Sequence, residues 1–297
     1  MILAHRSWGD PGGPLALFLH GAACEGGWWG QAASWFAARG WHAVALDLPG
    51  HGASPPGDDR LAPLLPAVGD DVANTVEALR PGDAVDVLVA SSLGSVVGLA
   101  CVAHHPLLAR RLVLEDPPGR ASVDAVQLAR EVDALVASAR RDPLACAREH
   151  FAGAPVVPDE AALTDWALAL AAVDLPTITA LVLELAETDM EALLASCPVP
   201  ALMLLGRDRR APLGSIGETT ITADMRRYST VAGAERTRYA GALAMAGGQT
   251  LELPAGHAIH QSAFGQWAVI MDRWLASSDH LEPSNDVRPR SPGRSSA

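Results

Sequence analysis

The sequence predicts an α/β fold: a mostly parallel central sheet flanked by helices, with a helical cap insertion. Three observations lead there. Short, near-continuous apolar runs alternate with helical segments through the first 116 residues, the pattern of strands buried on both faces of a parallel sheet. From about Ser122 to Ser196 the strand signal vanishes while helical spacing persists. Two further strand-like runs and an amphipathic helix then close the ordered part. The expected division is a core of residues 1–116 and 199–276, a cap of 117–198 and a disordered Ser-, Pro- and Arg-rich tail of 277–297.

Taken in order, "PLALFLH" (14–20) is a strand that runs into the Gly-rich "HGAACEGG". "WWGQAASWFAARG" (28–40) has helical character, and Gly40 is placed to end it. "WHAVALD" (41–47) is a second buried strand, followed by the turn "LPGHGAS". Val68, Val72, Val76 and Leu79 recur at helical spacing. "AVDVLVA" (84–90) is a strand, "SVVGLACVAHH" (95–105) a helix, and "RLVLEDPPG" (111–119) a strand stopped by two prolines. In the insertion, Val123, Val126, Val132, Leu135 and Val136 form one predicted stripe, "DPLACAREHF" has an Asp-Pro helix start, and "DEAALTDWALALAAVD" and "PTITALVLELAE" follow as helices. Thr188 and Glu191 have the spacing of a capping pair in front of "MEALLA". "VPALMLLG" (199–206) and "QTLELPAGH" (249–257) return to strands, and Phe264, Trp267, Ile270, Met271 and Trp274 mark the inner side of a final helix.

Composition narrows the function. A formal net charge of −12 disfavours a nucleic-acid partner. All 22 basic residues are arginine, so Schiff-base and P-loop lysine chemistry are excluded. Cys24, Cys101, Cys146 and Cys197 have no metal-ligand spacing and are expected as free thiols, with no metal or cofactor implied. "MILAHRSWGDPGG" lacks the pattern of a secretory signal, and no uncharged apolar run approaches membrane-spanning length. The expectation is a soluble cytoplasmic protein acting on a small molecule, with no membrane partner.

The stretch "VLVASSLGSVVG" (87–98) carries the chemistry. A serine on a strand-to-helix elbow has strained backbone angles, and the residues two before and two after it must be small. Only Ser92 qualifies, between Ala90 and Gly94; Ser91 lies between Val89 and Leu93, and Ser95 between Leu93 and Val97. A serine hydroxyl needs a base. Among ten histidines, His257 stands out, in the loop "PAGHAIH" after a strand and before the last helix, with His260 as a support of that loop. The imidazole in turn needs a carboxylate. Asp208 after "ALMLLG" and Asp116 after "RLVLE" both end strands at the same edge; Asp208 is favoured. For the oxyanion, the backbone N–H groups of Leu93 and, in the "HGAA" loop, Ala22 are the candidate donors.

These residues resemble the α/β-hydrolase superfamily, in particular its esterase-like members with a helical cap. The resemblance is carried by "LHGAA" (19–23), "DLPGHGAS" (47–54), "ASSLGS" (90–95), "LVLEDP" (112–117), "LMLLGRD" (202–208) and "GHAIH" (256–260), in the family's order over residues 14 to 275. It implies Ser92 as nucleophile, His257 as base, Asp208 as acid, Ala22 and Leu93 as oxyanion donors, and a cap over the site. Two departures keep Asp116 in play as the acid: Asp208 stands two residues after Gly206 rather than three, and 49 residues separate it from His257. Some relatives take their acid from the strand that here ends at Asp116.

The expected activity is cleavage of a carboxylic ester, lactone or thioester of an apolar small molecule through an acyl-enzyme, with Trp28, Trp29 and Trp166 as candidates to line the approach. The same fold also accommodates carbon–carbon bond hydrolysis, cofactor-independent oxygenation and non-catalytic binding. An aspartate nucleophile, as in dehalogenases, is disfavoured by Ser92.

Overall fold

A computed structural model describes residues 1–22, 24–57, 64–118, 125–151, 160–206 and 233–277. All six expected strands form, and a seventh joins them: β1 (His5–Trp8), β2 (Leu15–Leu19), β3 (His42–Leu46), β4 (Val87–Ser91), β5 (Leu112–Glu115), β6 (Ala201–Gly206) and β7 (Gln249–Leu253). The sheet order is β1-β3-β2-β4-β5-β6-β7. Only β1 is antiparallel, pairing His5 with Leu46 and Trp8 with Ala43. Every other neighbouring pair is parallel, so the ends of β2, β4, β5, β6 and β7 open onto one rim. Loops at that carboxyl rim are where an α/β sheet builds its sites.

Helices α1 (Gly30–Ala37), α2 (Leu64–Leu79), α3 (Leu93–His104), α9 (Gly233–Met245) and α11 (Phe264–Ala276) cover the sheet. Alternation along the strands sends Leu17, Leu88 and Leu112 to one apolar layer, with α2, α3 and α9. Phe18, Val89 and Val113 enter the other, with Trp29, Phe36, Trp267 and Met271. Gly40 takes φ +82°, the left-handed conformation that ends the first helical segment as expected.

Between β5 and β6 the chain makes α4 (Ala125–Arg141), α5 (Pro143–Phe151), α6 (Glu160–Ala172), α7 (Leu175–Glu187) and α8 (Met190–Ala195). The first four share their own core, with Val132, Leu135, Val136, Cys146, Trp166, Leu170 and Ile178. Asp142 begins α5 as expected, accepting from the Ala145 N–H at 3.0 Å. The segment docks on the sheet domain through α7: the Asp174 N–H donates to the Gly50 carbonyl at 2.7 Å. Glu184 accepts from the N–H groups of Leu64 and Leu65 at the start of α2, at 2.6 and 3.1 Å.

Two local expectations fail. The cap of α8 is Asp189, which accepts from the Ala192 N–H at 3.1 Å, while Thr188 donates back to the Glu184 carbonyl. Val126 is not on the buried stripe of α4 but 53% exposed. Val123, and the tail beyond Ser277, lie outside the described residues. No single described helix is long and apolar enough to cross a membrane.

Candidate active site

At the β4–α3 turn Ser92 has φ +52° and ψ −120°. Only two non-glycine residues among those described have positive φ, Ser92 and Asp116 (φ +41°). Such conformations cost free energy and persist only where the surroundings enforce them. Around Ser92 the enforcement is visible. Its N–H donates to the Glu115 carbonyl at 2.9 Å, and its carbonyl accepts from the Ser95 N–H at 2.9 Å. The Ser95 hydroxyl is turned back onto the Ala90 carbonyl at 3.0 Å, a structural role.

The small-residue requirement has a measurable origin. A Cβ added to Gly94 would lie 2.5 Å from the Leu19 carbonyl oxygen and 2.7 Å from that of His20. Gly94 lets α3 start directly against the end of β2, which carries the "HGAA" loop. Gly94→Ala is therefore expected to lower Tm by roughly 5–10 °C, measured by thermal denaturation, and to cost activity by moving Ser92. A variant with unchanged Tm and activity would show that the contact yields freely.

The "HGAA" loop is fixed from beneath. His20 is fully buried; its Nδ1–H donates to the Gly21 carbonyl at 2.7 Å and its Nε2 accepts from the Leu48 N–H at 3.0 Å. Burial pushes its pKa down to about 4, which keeps the ring neutral and this tautomer in place. Gly21 packs close to Ser92: a Cβ on it would stand 3.2 Å from the Ser92 Cβ. Ala22 is half-buried beside it. Leu93 is the first residue of α3, so its N–H has no carbonyl one turn earlier to pair with. "DLPGHGAS" forms a turn around Asp47, whose carboxylate accepts from the N–H groups of Gly26 and Ala53 at 2.7 and 2.9 Å.

His257 is half-buried and its Nδ1–H donates to Asp116 Oδ2 at 2.7 Å. Asp116 is fully buried at the end of β5, and its Oδ1 accepts from the Gly206 N–H at 3.2 Å. Burial raises its pKa above the usual carboxylate range, against the opposing effects of His257, the Gly206 N–H and the Arg236 guanidinium. Arg236, on α9, donates to the Gly206 carbonyl. Gly206 therefore stands between Asp116 and Arg236, and the loop before His257 passes so close that a Cβ there would be 2.7 Å from the Ala255 and Gly256 carbonyls.

The carboxylate on His257 is thus Asp116, the residue weighed second in the sequence. Asp208 lies outside the described residues. The reason for the placement is register: Asp116 directly follows β5, next to β4, so its carboxylate is one strand away from the Ser92 turn. Sequence reading missed Arg236 altogether; it shares the helix preceding β7 with Arg238, and nothing in the sequence says which of the two faces the strand ends. Of the three tryptophans, Trp29 is fully buried in the core beneath the sheet, stacked on His260 at 3.9 Å, and lines nothing. Trp166 is buried in the α4–α7 core, and Trp28 and Cys24 are partly buried where that core meets the loop after Ala22. Burial pushes the Cys24 thiol up to about 12, so it stays protonated. Among the described residues no group of three or more His, Cys, Asp or Glu is placed to hold a metal ion.

A mostly parallel sheet opening on one rim, with a strained serine at the central strand-to-helix turn, defines an α/β protein of the open-sheet class. The chain belongs to the Alpha/beta hydrolase family, whose family model matches residues 16–268. It is similar in structure to a hydrolase from Pseudomonas aeruginosa (21% identity, 93% of this chain and 94% of that one, TM-score 0.68). A thermophilic esterase from Thermogutta terrifontis is comparable (19% identity, 92% of both chains, TM-score 0.68). So is the enol-lactonase from Burkholderia xenovorans (16% identity, 93% and 96%, TM-score 0.67). A search of curated sequences gives no match.

Proposed function

We propose that this chain is a serine hydrolase that cleaves a carboxylic ester, lactone or thioester of an apolar small molecule through an acyl-enzyme. The observation that carries the reading is the attachment of the candidate nucleophile and base to consecutive residues at one strand end. Ser92 N–H is bonded to the Glu115 carbonyl, and His257 Nδ1–H to the Asp116 carboxylate. The likeness in fold to a solved esterase and an enol-lactonase is consistent with it.

On this reading Ser92 Oγ attacks the substrate carbonyl carbon as His257 Nε2 takes the hydroxyl proton. Asp116 holds the Nδ1–H tautomer, leaving Nε2 free to accept, and stabilises the resulting imidazolium. The Ala22 and Leu93 N–H groups receive the oxyanion, Leu93 from the start of α3, where the helix dipole adds to the attraction. His257 then gives its proton to the departing alcohol or thiol. In the second half it takes a proton from water as the water attacks the acyl carbon, and returns that proton to Ser92 Oγ as the acyl–oxygen bond breaks and the acid leaves. Helices α4 to α8 act as a cap. The partly buried Cys24 and Trp28 at its junction with the oxyanion loop favour an apolar acyl or alcohol group.

The test is turnover of p-nitrophenyl butyrate and labelling by a fluorophosphonate. The expected result is that both occur in the wild-type protein and that Ser92→Ala abolishes labelling and lowers kcat by about 10⁵-fold or more. Ester turnover unchanged in Ser92→Ala overturns the assignment. Labelling without turnover of any ester, lactone or thioester favours carbon–carbon bond hydrolysis on the same site.

A further inference from the structure

The four residues Glu115, Asp116, His257 and His260 form two acid–histidine pairs, and the catalytic reading uses only one. Glu115 Oε2 accepts from His260 Nδ1 at 2.7 Å, while its Oε1 accepts from the Trp267 indole N–H. Glu115, His260 and Trp267 are all fully buried. His260 lies flat on Trp29 at 3.9 Å, and among the described residues its Nε2 has no hydrogen-bond partner. A carboxylate buried under the sheet among Trp29, Trp267 and Met271 is costly, and mutual pairing offsets that cost only in part. An apolar pair would fill the same space more cheaply.

What the pair holds is the turn bearing His257. Helix α10 (Ile259–Ser262) is a single turn whose N-cap residue, Ala258, provides no side-chain bond. A helix this short does not persist without tertiary contacts. Three sets are present. Ser262 Oγ accepts from the Gly256 N–H at 3.0 Å and donates to the Ala258 carbonyl at 2.9 Å, closing the turn on itself. Gln261 Nε2 donates to the Trp28 carbonyl at 3.2 Å, linking the turn to the segment after the oxyanion loop. His260 ties it to β5, the strand whose next residue is Asp116, through its Nδ1–H at 2.7 Å and, more weakly, its backbone N–H at 3.5 Å, both on Glu115 Oε2. His257 is therefore set against Asp116 from above the sheet while His260 is set against Glu115 from below.

We infer that Glu115 and His260 are positioning residues: their buried hydrogen bond fixes the His257 turn to the strand that carries Asp116, and the stacking of His260 on Trp29 keeps that turn in register with the oxyanion loop. The effect on turnover rests on the function proposed above; the effect on the His257–Asp116 hydrogen bond does not.

Two measurements on the full chain test it: kcat and KM on p-nitrophenyl butyrate, and the downfield proton resonance of the His257 Nδ1–H, assigned by its loss in Asp116→Asn. In His260→Leu and Glu115→Met, checked for folding by circular dichroism, kcat is expected to fall about 10- to 100-fold with KM within threefold, and the resonance to broaden. Glu115→Met keeps the length of the side chain and removes both acceptors, so no tautomer of His260 restores the bond. His260→Asn places an amide N–H where Nδ1–H stands and recovers kcat to within about fivefold; His260→Gln, whose amide falls at the Nε2 position, does not. Equal kcat in the Asn and Gln variants overturns the proposal even if the Leu variant does not fold. So does a folded His260→Leu with wild-type kcat and an unchanged resonance. A resonance that broadens in a protein with no ester turnover in the wild type overturns the hydrolase reading and leaves the anchoring in place.

Discussion

Asp116→Asn is expected to lower kcat on an ester substrate by about 10³- to 10⁴-fold, while Asp208→Asn stays within about threefold of wild type. The size of the effect follows from the hydrogen bond rather than from lost charge alone. Asp116 Oδ2 takes the Nδ1–H of His257 at 2.7 Å, and Oδ1 takes the Gly206 N–H at 3.2 Å, so both oxygens act as acceptors. An asparagine has one acceptor for these two donors. With its oxygen kept on Gly206, its amide N–H faces His257 Nδ1, and the imidazole meets it by moving its proton to Nε2. That tautomer cannot take the Ser92 proton. Because Asp116 is fully buried, no water substitutes for the missing acceptor. Steady-state kinetics on both variants decide the matter, with fluorophosphonate labelling as a check that Ser92 remains accessible. A large loss in Asp208→Asn with little change in Asp116→Asn would move the acid to the other strand end.

The uncertainty that this experiment addresses was built into the sequence. Ser92 was legible because a five-residue pattern reports a backbone condition: small neighbours at positions 90 and 94, whose need is explained by the approach of Gly94 to the Leu19 and His20 carbonyls. His257 was legible because it is the first histidine after a strand-like run at the right edge, ahead of the last helix. The acid was not, since Asp116 and Asp208 both end apolar strands and nothing local says which carboxylate faces the imidazole. The bond from the His257 Nδ1–H to the Asp116 carboxylate, at the end of the strand beside β4, identifies Asp116. The fold shows the same division between local and non-local information. Five of the six apolar runs form strands that are buried throughout, whereas β7 is an edge strand exposed at Gln249, Leu251 and Glu252. β1 was missed because "HRSW" is an exposed edge segment whose strand character exists only through pairing with β3. At α8 the expected cap, Thr188, is one residue out of phase, as the bond from the Ala192 N–H to Asp189 shows. Trp29 read as a pocket residue beside Trp28, but consecutive side chains there go to opposite surroundings, and His260 fills the ring face that a substrate would need.

Lowering the pH from 6.5 toward 4 is expected to destabilise the folded protein by several kcal/mol, through histidines that take no direct part in proton transfer. His20, His51 and His150 are buried, and burial is the largest cause that pushes their pKa values down to about 4, about 3 and about 3 from an ordinary 6.5. For His51 the neighbouring His20 ring, 4.8 Å away, adds to the effect, because a charge on one opposes a charge on the other. The sign follows from proton counting. Below pH 6.5 the unfolded chain binds protons at these three positions and the folded chain does not, so stability is complete above 6.5 and drains away as the pH falls toward the folded values. His20 alone accounts for about 3 kcal/mol by pH 4, from a shift between 6.5 and about 4. Its protonation would also place an N–H against the Leu48 N–H, breaking the bond that seats the loop carrying Gly21 and Ala22. Esterase activity is therefore expected to fail at a higher pH than global unfolding. Urea midpoints between pH 4.5 and 8 measure the first effect, and His20→Asn separates it from acid protonation of carboxylates elsewhere. The variant is less stable at pH 8 but loses stability less steeply on acidification. A midpoint independent of pH from 6.5 to 4.5, or an identical slope in His20→Asn, would mean that His20 is not held neutral beneath the "HGAA" loop.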